Sequence, residues 1–160
     1  MNPPPEVNSR DFWEERFTQS WRADHGPEQT RFFGQLALAT LPGWLRRQVQ
    51  QQRLSVCDWG CAFGEGTAVL AQGLGTAVSG VDFSEAAIAQ ARLRHPALEF
   101  RCEDWLAGDA GEPRDGAGTY DIVFLERGQV IDAIVRDSRR RYDGISSSPA
   151  DRKPEQTVGP

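Results

Sequence analysis

The sequence predicts an α/β protein in which helices cover both faces of a parallel sheet. Two observations indicate this fold. From residue 54 onward, short apolar runs typical of buried strands alternate with longer helical stretches. The first of these runs leads into a glycine-rich segment, Gly60 to Gly66, that opens a helix. Repeated strand–helix–strand units build parallel sheets, because each helix returns the chain to the starting end of the sheet.

A helical segment precedes the alternating region. Residues 1–10 are rich in proline and are expected to be disordered, whereas residues 11–53 carry helical patterns. In the first of these helices, Trp13, Phe17 and Trp21 recur every four residues and form one apolar stripe. Such a stripe fits either a lid over a pocket or a helix that simply covers one face of the sheet.

Four strands are predicted in the alternating region. They span residues 54–58, 77–82, 98–102 and 120–125. The helix after the glycine-rich segment includes residues 67–72. Ser84 is expected to cap a second helix, which ends near Arg94 because a proline follows at position 96. The alternation of strand and helix therefore accounts for the first three strands of the sheet.

The pattern weakens after the fourth strand. Apolar residues within 130–135 predict a short helix, and residues 136–160 are polar enough to be expected as a disordered tail. Without a later strand, the fourth strand would form an apolar edge of the sheet, which favours pairing with other chains. Either a partner chain or a dimer covers that edge, or the chain is a fragment.

Composition excludes several classes of function. The chain has 23 acidic and 18 basic residues and a net charge of −5. It therefore lacks the excess of positive charge that binds nucleic acid or an anionic membrane. No apolar run approaches the roughly 20 residues that cross a bilayer, and the N-terminus lacks the plan of a signal peptide. A cytoplasmic location is therefore expected. Three cysteines without Cys-x-x-Cys spacing argue against disulfides and against a zinc site.

The glycine-rich segment distinguishes between two kinds of cofactor site. An NAD site requires Gly-x-Gly-x-x-Gly, and the spacing of Gly60, Gly64 and Gly66 does not fit it. The run from Asp58 instead reads Asp-x-Gly-Cys-x-x-Gly-x-Gly, and in this it resembles the class I S-adenosylmethionine-dependent methyltransferases. That resemblance implies a Rossmann-like domain over residues 54–135, with the C-terminal half of the family's seven-stranded sheet missing.

The resemblance also implies roles for the residues of this first motif. Asp58 would serve the methionine ammonium of S-adenosylmethionine, and Gly60 and Gly64 would let the backbone pass close to the cofactor. Ala62 replaces a glycine that is frequent in the family, which is tolerable if its φ is negative. Cys61 is either a reactive thiol at the start of a helix or a small residue that fills a tight turn.

A second motif, Gly80-Val81-Asp82-Phe83-Ser84, resembles the family as well. It implies that Asp82 accepts hydrogen bonds from the ribose hydroxyls and that Phe83 packs against the adenine. An Asp82→Ala substitution is then expected to abolish cofactor binding with little loss of fold. After the third strand, Asp104 would accept a hydrogen bond from the adenine amino group, and Trp105 would form a wall of the site on which the adenine stacks.

The implied activity is methyl transfer from S-adenosylmethionine to a small-molecule or saccharide acceptor. No catalytic residue is assigned, although Glu126, which follows the fourth strand, is a candidate base. Two alternatives stay open. The chain could be a catalytically inactive, cofactor-binding remnant or partner-dependent subunit, or it could be an NAD-binding domain, which the glycine spacing disfavours.

Overall fold

The computed structural model describes residues 9–104, 120–127 and 130–135, and for residues 126–127 and 130–135 it describes the backbone alone. Its helices are α1 (Arg10–Gln19), α2 (Gly26–Thr40), α3 (Gly43–Gln52), α4 (Glu65–Leu74) and α5 (Glu85–Arg94). Its strands are β1 (Val56–Trp59), β2 (Val78–Asp82), β3 (Glu99–Cys102), β4 (Ile122–Arg127) and β5 (Val130–Val135).

The described strands form one sheet in the order β3-β2-β1-β4-β5. The first four pair in parallel, so the α/β fold with a parallel sheet is confirmed. Ser84 caps α5 as expected, because its hydroxyl accepts a hydrogen bond of 3.1 Å from the Ala87 N–H. The carboxyl ends of β1, β2 and β3 therefore lie side by side at one edge of the sheet, where ligands bind in open α/β sheets.

The prediction of a helix over residues 130–135 is wrong. This segment is β5, which pairs antiparallel with β4 from Ile122 opposite Val135 to Arg127 opposite Val130. Four of its six residues are Val or Ile, and β-branched residues suit a pleated strand better than a helix. β4 is consequently not an edge strand, and the partner chain or dimer expected to cover it is not needed there.

The main core lies between one face of the sheet and helices α2, α3 and α4. Its fully buried members include Val49 of α3, Leu70 and Leu74 of α4, Val56 of β1 and Ile122 of β4. Alternate strand residues point to the other face, where they form a second apolar cluster of Cys57, Val81, Tyr120, Val123 and Leu125. The strands that carry the predicted site are thus buried on both faces.

The chain is ordered earlier than predicted. Ser9 caps α1 by accepting a hydrogen bond of 3.2 Å from the Phe12 N–H, and Arg10 is the first helical residue. The expectation of disorder over residues 1–10 is therefore wrong for its last two positions, and residues 1–8 lie outside the described part, as does the tail at 136–160. Among the described helices, none has the length and apolarity needed to span a membrane.

Candidate cofactor-binding site

The two predicted motifs meet where β1 and β2 end beside each other. The strands pair in parallel with Asp58 next to Gly80, and Asp82 stands at the tip of β2. The turn of residues 60–64 (the glycine turn) connects β1 to α4. The register of the sheet therefore brings both carboxylates and the glycine turn to the same edge.

Asp58 is a buried carboxylate with one oxygen in use. Its side chain is 1% exposed, and its Oδ2 accepts a hydrogen bond of 2.6 Å from the Thr67 hydroxyl. Its Oδ1 is buried and has no hydrogen-bond donor within the described part of the chain. Burial raises the pKa of Asp58, the nearby charge of Asp82 raises it further, and the Thr67 hydroxyl opposes both effects. Thr67 could not be singled out from the sequence, because a threonine in the first turn of a helix is common.

Asp82 fastens the glycine turn to the end of β2. Its Oδ2 accepts a hydrogen bond of 2.9 Å from the Ala62 N–H, and its Oδ1 accepts one of 3.0 Å from the Ser84 N–H. Burial raises the pKa of Asp82 to about 6, against the lowering effect of these amides, and the charge of Glu14 adds to the rise. Removal of this carboxylate would leave two backbone donors unpaired. We therefore expect Asp82→Ala to lower the stability of the fold as well as cofactor binding, whereas the sequence alone predicts little loss of fold.

The glycine turn uses its backbone donors inside the chain. The N–H groups of Gly60 and Cys61 both donate to the Val81 carbonyl, at 2.8 and 3.1 Å. The N–H of Gly64 donates to the Cys61 carbonyl at 2.9 Å. A pyrophosphate site requires such amides to face the ligand. This turn does not offer those amides to an anion, which agrees with the glycine spacing in disfavouring NAD.

Two glycines of the turn have different surroundings. Both have positive φ, +82° at Gly60 and +86° at Gly64, which favours glycine at each position. A Cβ at Gly64 would lie 2.6 Å from the Phe100 ring, so the packing of Phe100 leaves no room for a side chain at this position. A Cβ at Gly60 would meet nothing within 4 Å, so open space lies beside that backbone.

Ala62 does not meet the condition of a negative φ under which alanine would be tolerated without strain. Its φ is +48°, a region that costs an L-residue about 1–2 kcal/mol. The hydrogen bond from its N–H to Asp82 and the burial of its methyl group hold it there. Cys61 is 1% exposed and belongs to a cluster with Ile88 and Phe100. This environment supports its role as a small residue that fills the turn.

The aromatic stripe, of which Trp21 follows the end of α1, packs on the glycine turn. The ring centroids of Phe17 and Trp21 lie 5.9 and 6.1 Å from that of Phe63, and Trp13 packs against the same cluster. The stripe therefore contacts the turn itself instead of lying across a face of the sheet. Helix α1 is thereby fixed beside the predicted site.

A buried ion pair supports the same turn from α5. The Glu65 carboxylate, which is 3% exposed, pairs with the Arg94 guanidinium. The Cζ of Arg94 lies 5.3 Å from the Phe63 ring centroid, within the range of a cation–π contact. The sequence did not indicate this pair, because its members are 29 residues apart and lie on different helices.

The remaining predicted residues lie at the outer end of the site. Phe83 and Asp104 follow β2 and β3, and we call these two residues the outer rim. The Arg10 guanidinium, which the sequence did not indicate, contacts both: its Nη1 lies 3.5 Å from Asp104 Oδ2 and its Nη2 donates to the Phe83 carbonyl at 3.2 Å. Trp105 and the side chain of Glu126 lie outside the described residues, so their predicted roles stay predictions.

Two cavities of the described chain lie away from the predicted carboxylates. One of about 600 Å³ opens at the amino ends of the strands and is lined by residues that include Arg53, Thr76 and Ser79. The other, of about 500 Å³, lies between α1 and α5 beside Phe17 and Gln90. Within the same described ranges, no group of three or more His, Cys, Asp and Glu side chains is placed to hold a metal ion.

The parallel sheet, the glycine turn and the carboxylates at adjacent strand tips define a Rossmann-like cofactor-binding domain. A family model described as a methyltransferase domain matches residues 56–141, more than half of the chain. The chain therefore belongs to the methyltransferase-domain family, and the cofactor is S-adenosylmethionine, the methyl donor of that family.

Several solved structures are similar in fold. The plantazolicin methyltransferase BpumL, solved in complex with SAH, is 22% identical over 69% of this chain and 45% of its own, with a TM-score of 0.45. The sugar N-methyltransferase KedS8 from a Streptoalloteichus species is 21% identical over 77% of this chain and 41% of its own, with a TM-score of 0.36. The magnesium protoporphyrin IX methyltransferase of Synechocystis, solved with bound SAM, is 22% identical over 77% of this chain and 62% of its own, with a TM-score of 0.39.

The chain thus spans less than half the length of the plantazolicin methyltransferase. A search of curated proteins found no match.

Proposed function

We propose that this chain binds S-adenosylmethionine at the edge formed by the glycine turn and the ends of β2 and β3, and that it transfers the methyl group to a small-molecule or saccharide acceptor in the cytoplasm. The observation that carries the proposal is the pair of buried carboxylates, Asp58 and Asp82, at adjacent strand tips. Beside them, the open space at Gly60 leaves room for a ligand against bare backbone.

Asp58 suits a cationic group of the cofactor. Its Oδ1 is a buried acceptor without a donor in the described chain, and an unpaired buried acceptor is costly. An ammonium group supplies both the donor and the positive charge that this carboxylate lacks. We therefore assign the methionine ammonium to Asp58, directly or through water, with Thr67 holding the other oxygen.

Asp82 suits the ribose. A carboxylate offers about four lone-pair positions, and the Ala62 and Ser84 amides use one on each oxygen. The Phe83 amide also lies close to this carboxylate, and the lone-pair capacity that remains can accept from the ribose hydroxyls. The amides also fix the carboxylate in place before a ligand arrives, so its ordering adds no cost to binding.

The outer rim suits the adenine. Phe83 offers an aromatic face, and Asp104 offers a carboxylate that can accept from an exocyclic amino group. Trp105, next in sequence, is assigned to the same side by resemblance to the family. The cofactor-binding set proposed in full is Asp58, Gly60, Cys61, Ala62, Gly64, Asp82, Phe83, Asp104 and Trp105.

Methyl transfer needs little from the protein beyond alignment of the acceptor with the methyl group. When bound, S-adenosylmethionine supplies a methyl group that its sulfonium has already activated, so positioning of the acceptor accounts for most of the rate. A base is needed only for acceptors such as sugar hydroxyls, and Glu126 at the end of β4 is the proposed candidate. The net charge of −5 supports an uncharged or cationic small acceptor over a nucleic acid.

The test is a calorimetric titration of the folded, purified chain with S-adenosylhomocysteine, with NAD as the competing ligand and Asp58→Asn as the variant. The proposal expects micromolar binding of S-adenosylhomocysteine, no binding of NAD, and at least a tenfold loss in the variant. A folded chain that binds neither ligand, or one that prefers NAD, would overturn the proposal. Binding without turnover over a panel of acceptors would instead assign the chain as a cofactor-binding remnant or a partner-dependent subunit.

A further inference from the structure

Arg10 lies against both residues of the outer rim. Its guanidinium is 3.5 Å from the Asp104 carboxylate, and it donates to the Phe83 carbonyl at 3.2 Å. Its Cζ also lies 5.6 Å from the centroid of the Phe83 ring, within the range of a cation–π contact. One side chain thus makes an ion pair, a hydrogen bond and a ring contact with the surface proposed to bind adenine.

The guanidinium resembles adenine in the properties that this surface would recognise. It is planar, it stacks on aromatic faces, and it carries N–H donors in its plane. Adenine is likewise planar and carries an exocyclic amino donor in its plane. A surface built from an aromatic ring and a carboxylate therefore suits either group, and the two cannot occupy it together.

The position of Arg10 is not explained by the stability of its own helix. Arg10 is the first residue of α1, and a cation at a helix N-terminus works against the helix dipole. The helix is anchored further along, where the Ser84 hydroxyl donates to Glu14 at 2.9 Å and the aromatic stripe packs on the glycine turn. These anchors direct the start of α1, and with it Arg10, toward the outer rim.

We propose that Arg10 is an internal competitor for adenine, which occupies the adenine subsite in the cofactor-free protein and must leave it when the cofactor binds. This inference rests on the proposed function, because the subsite is part of it. The contact is built to be displaced: the Arg10 and Asp104 side chains are 57% and 29% exposed, and ion pairs at such exposure are weak. Its removal is expected to strengthen binding about three- to tenfold.

The experiment isolates the adenine side of the ligand. We would titrate 5′-methylthioadenosine, which carries no methionine amino acid group, into the wild-type chain, Arg10→Ala and Arg22→Ala by calorimetry. Arg22 is the matched control, because it is an exposed arginine of the same N-terminal segment that contacts Gln90 of α5 instead of the outer rim. Titrations of the same proteins with S-adenosylhomocysteine report on the whole site.

The inference expects Arg10→Ala to bind 5′-methylthioadenosine about three- to tenfold more tightly than the wild type, with Arg22→Ala unchanged. Raising the salt from about 0.02 to about 0.5 M should strengthen binding to the wild type, because salt screens the competing ion pair, and should leave Arg10→Ala unaffected. Equal affinity, or weaker binding by Arg10→Ala while S-adenosylhomocysteine still binds the wild type, would overturn the inference alone. A folded wild type that binds neither ligand would overturn the proposed function and this inference with it.

Discussion

The glycine turn and the outer rim contribute to one proposed site, but their surroundings are opposite. In the turn, Ala62 is 2% exposed and Phe63 is 2% exposed, and the turn is fixed by hydrogen bonds to β2 and by the aromatic stripe of α1. At the outer rim, the Asp104 side chain is 29% exposed and its ion-pair partner Arg10 is 57% exposed. The first region is part of the folded core, and the second lies on the surface.

This difference separates two contributions that residues of a single site can make, one to the stability of the fold and one to the affinity for the ligand. A buried polar group that already bonds to the backbone stabilises the fold as well as the ligand, so a substitution there changes both quantities. A half-exposed group contributes little to stability, so a substitution there changes affinity alone. For each variant we would measure both the free energy of unfolding and the affinity for S-adenosylhomocysteine.

The largest effect is expected from alanine at the two glycines of the turn. Gly64→Ala should lower the free energy of unfolding by about 2–4 kcal/mol, because it adds a strained φ and a clash with the Phe100 ring. Gly60→Ala adds only the strained φ, about 1–2 kcal/mol, yet its methyl group enters the space proposed for the ligand. Urea unfolding and calorimetry on both variants provide the comparison.

These two variants are each other's control. Gly60→Ala should lose more affinity than stability, and Gly64→Ala should lose mostly stability. If Gly60→Ala bound S-adenosylhomocysteine as the wild type does, the ligand would not lie against that part of the backbone.

The next largest effect is expected at Asp82. Asp82→Asn keeps one acceptor oxygen but turns an amide donor toward a backbone N–H, so we expect a loss of about 1–3 kcal/mol in stability. Affinity should fall at least tenfold, because the ribose hydroxyls lose an ionised acceptor. A variant with wild-type affinity and reduced stability would make Asp82 a structural residue of the turn and remove it from the ligand site.

The buried carboxylates also predict a dependence on pH. Because the pKa of Asp82 is about 6 in the folded chain against 3.8 when unperturbed, its stabilising contribution is fully present below pH 3.8 and is lost as pH rises through 6. The loss amounts to roughly 3 kcal/mol. Affinity for S-adenosylhomocysteine should move the other way and rise about tenfold from one pH unit below that pKa to neutrality, since binding needs the ionised form.

Thermal unfolding from below pH 3.8 to pH 7 tests the first trend and calorimetry over pH 5–7 tests the second, with Asp82→Asn as the control that should reduce each slope. Affinity that stays constant over this range in the wild type would show that the carboxylates do not ionise to accept the ligand.

Local signals predicted the first four strands, the Ser84 cap and the two motifs, because these depend on residues close in sequence. Contacts between distant segments could not be predicted in this way. Thr67, Glu65 and Arg10 are ordinary helix residues by type, and only the packing of helices against the turn gives them partners. The same limit explains β5: its apolar residues fit one face of a helix or a strand equally well, and the neighbouring β4 decides between them.

The smallest effect is expected at Phe83, and it tests the exposed half of the comparison. Phe83→Leu removes the ring contact with Arg10 and the proposed stacking surface for adenine while it keeps an apolar side chain. The free energy of unfolding should change by less than about 0.5 kcal/mol, as for most surface substitutions. Affinity for S-adenosylhomocysteine should fall about threefold, because lost stacking outweighs the easier displacement of Arg10. A loss of stability larger than the loss of binding would show that the outer rim, like the glycine turn, is part of the core.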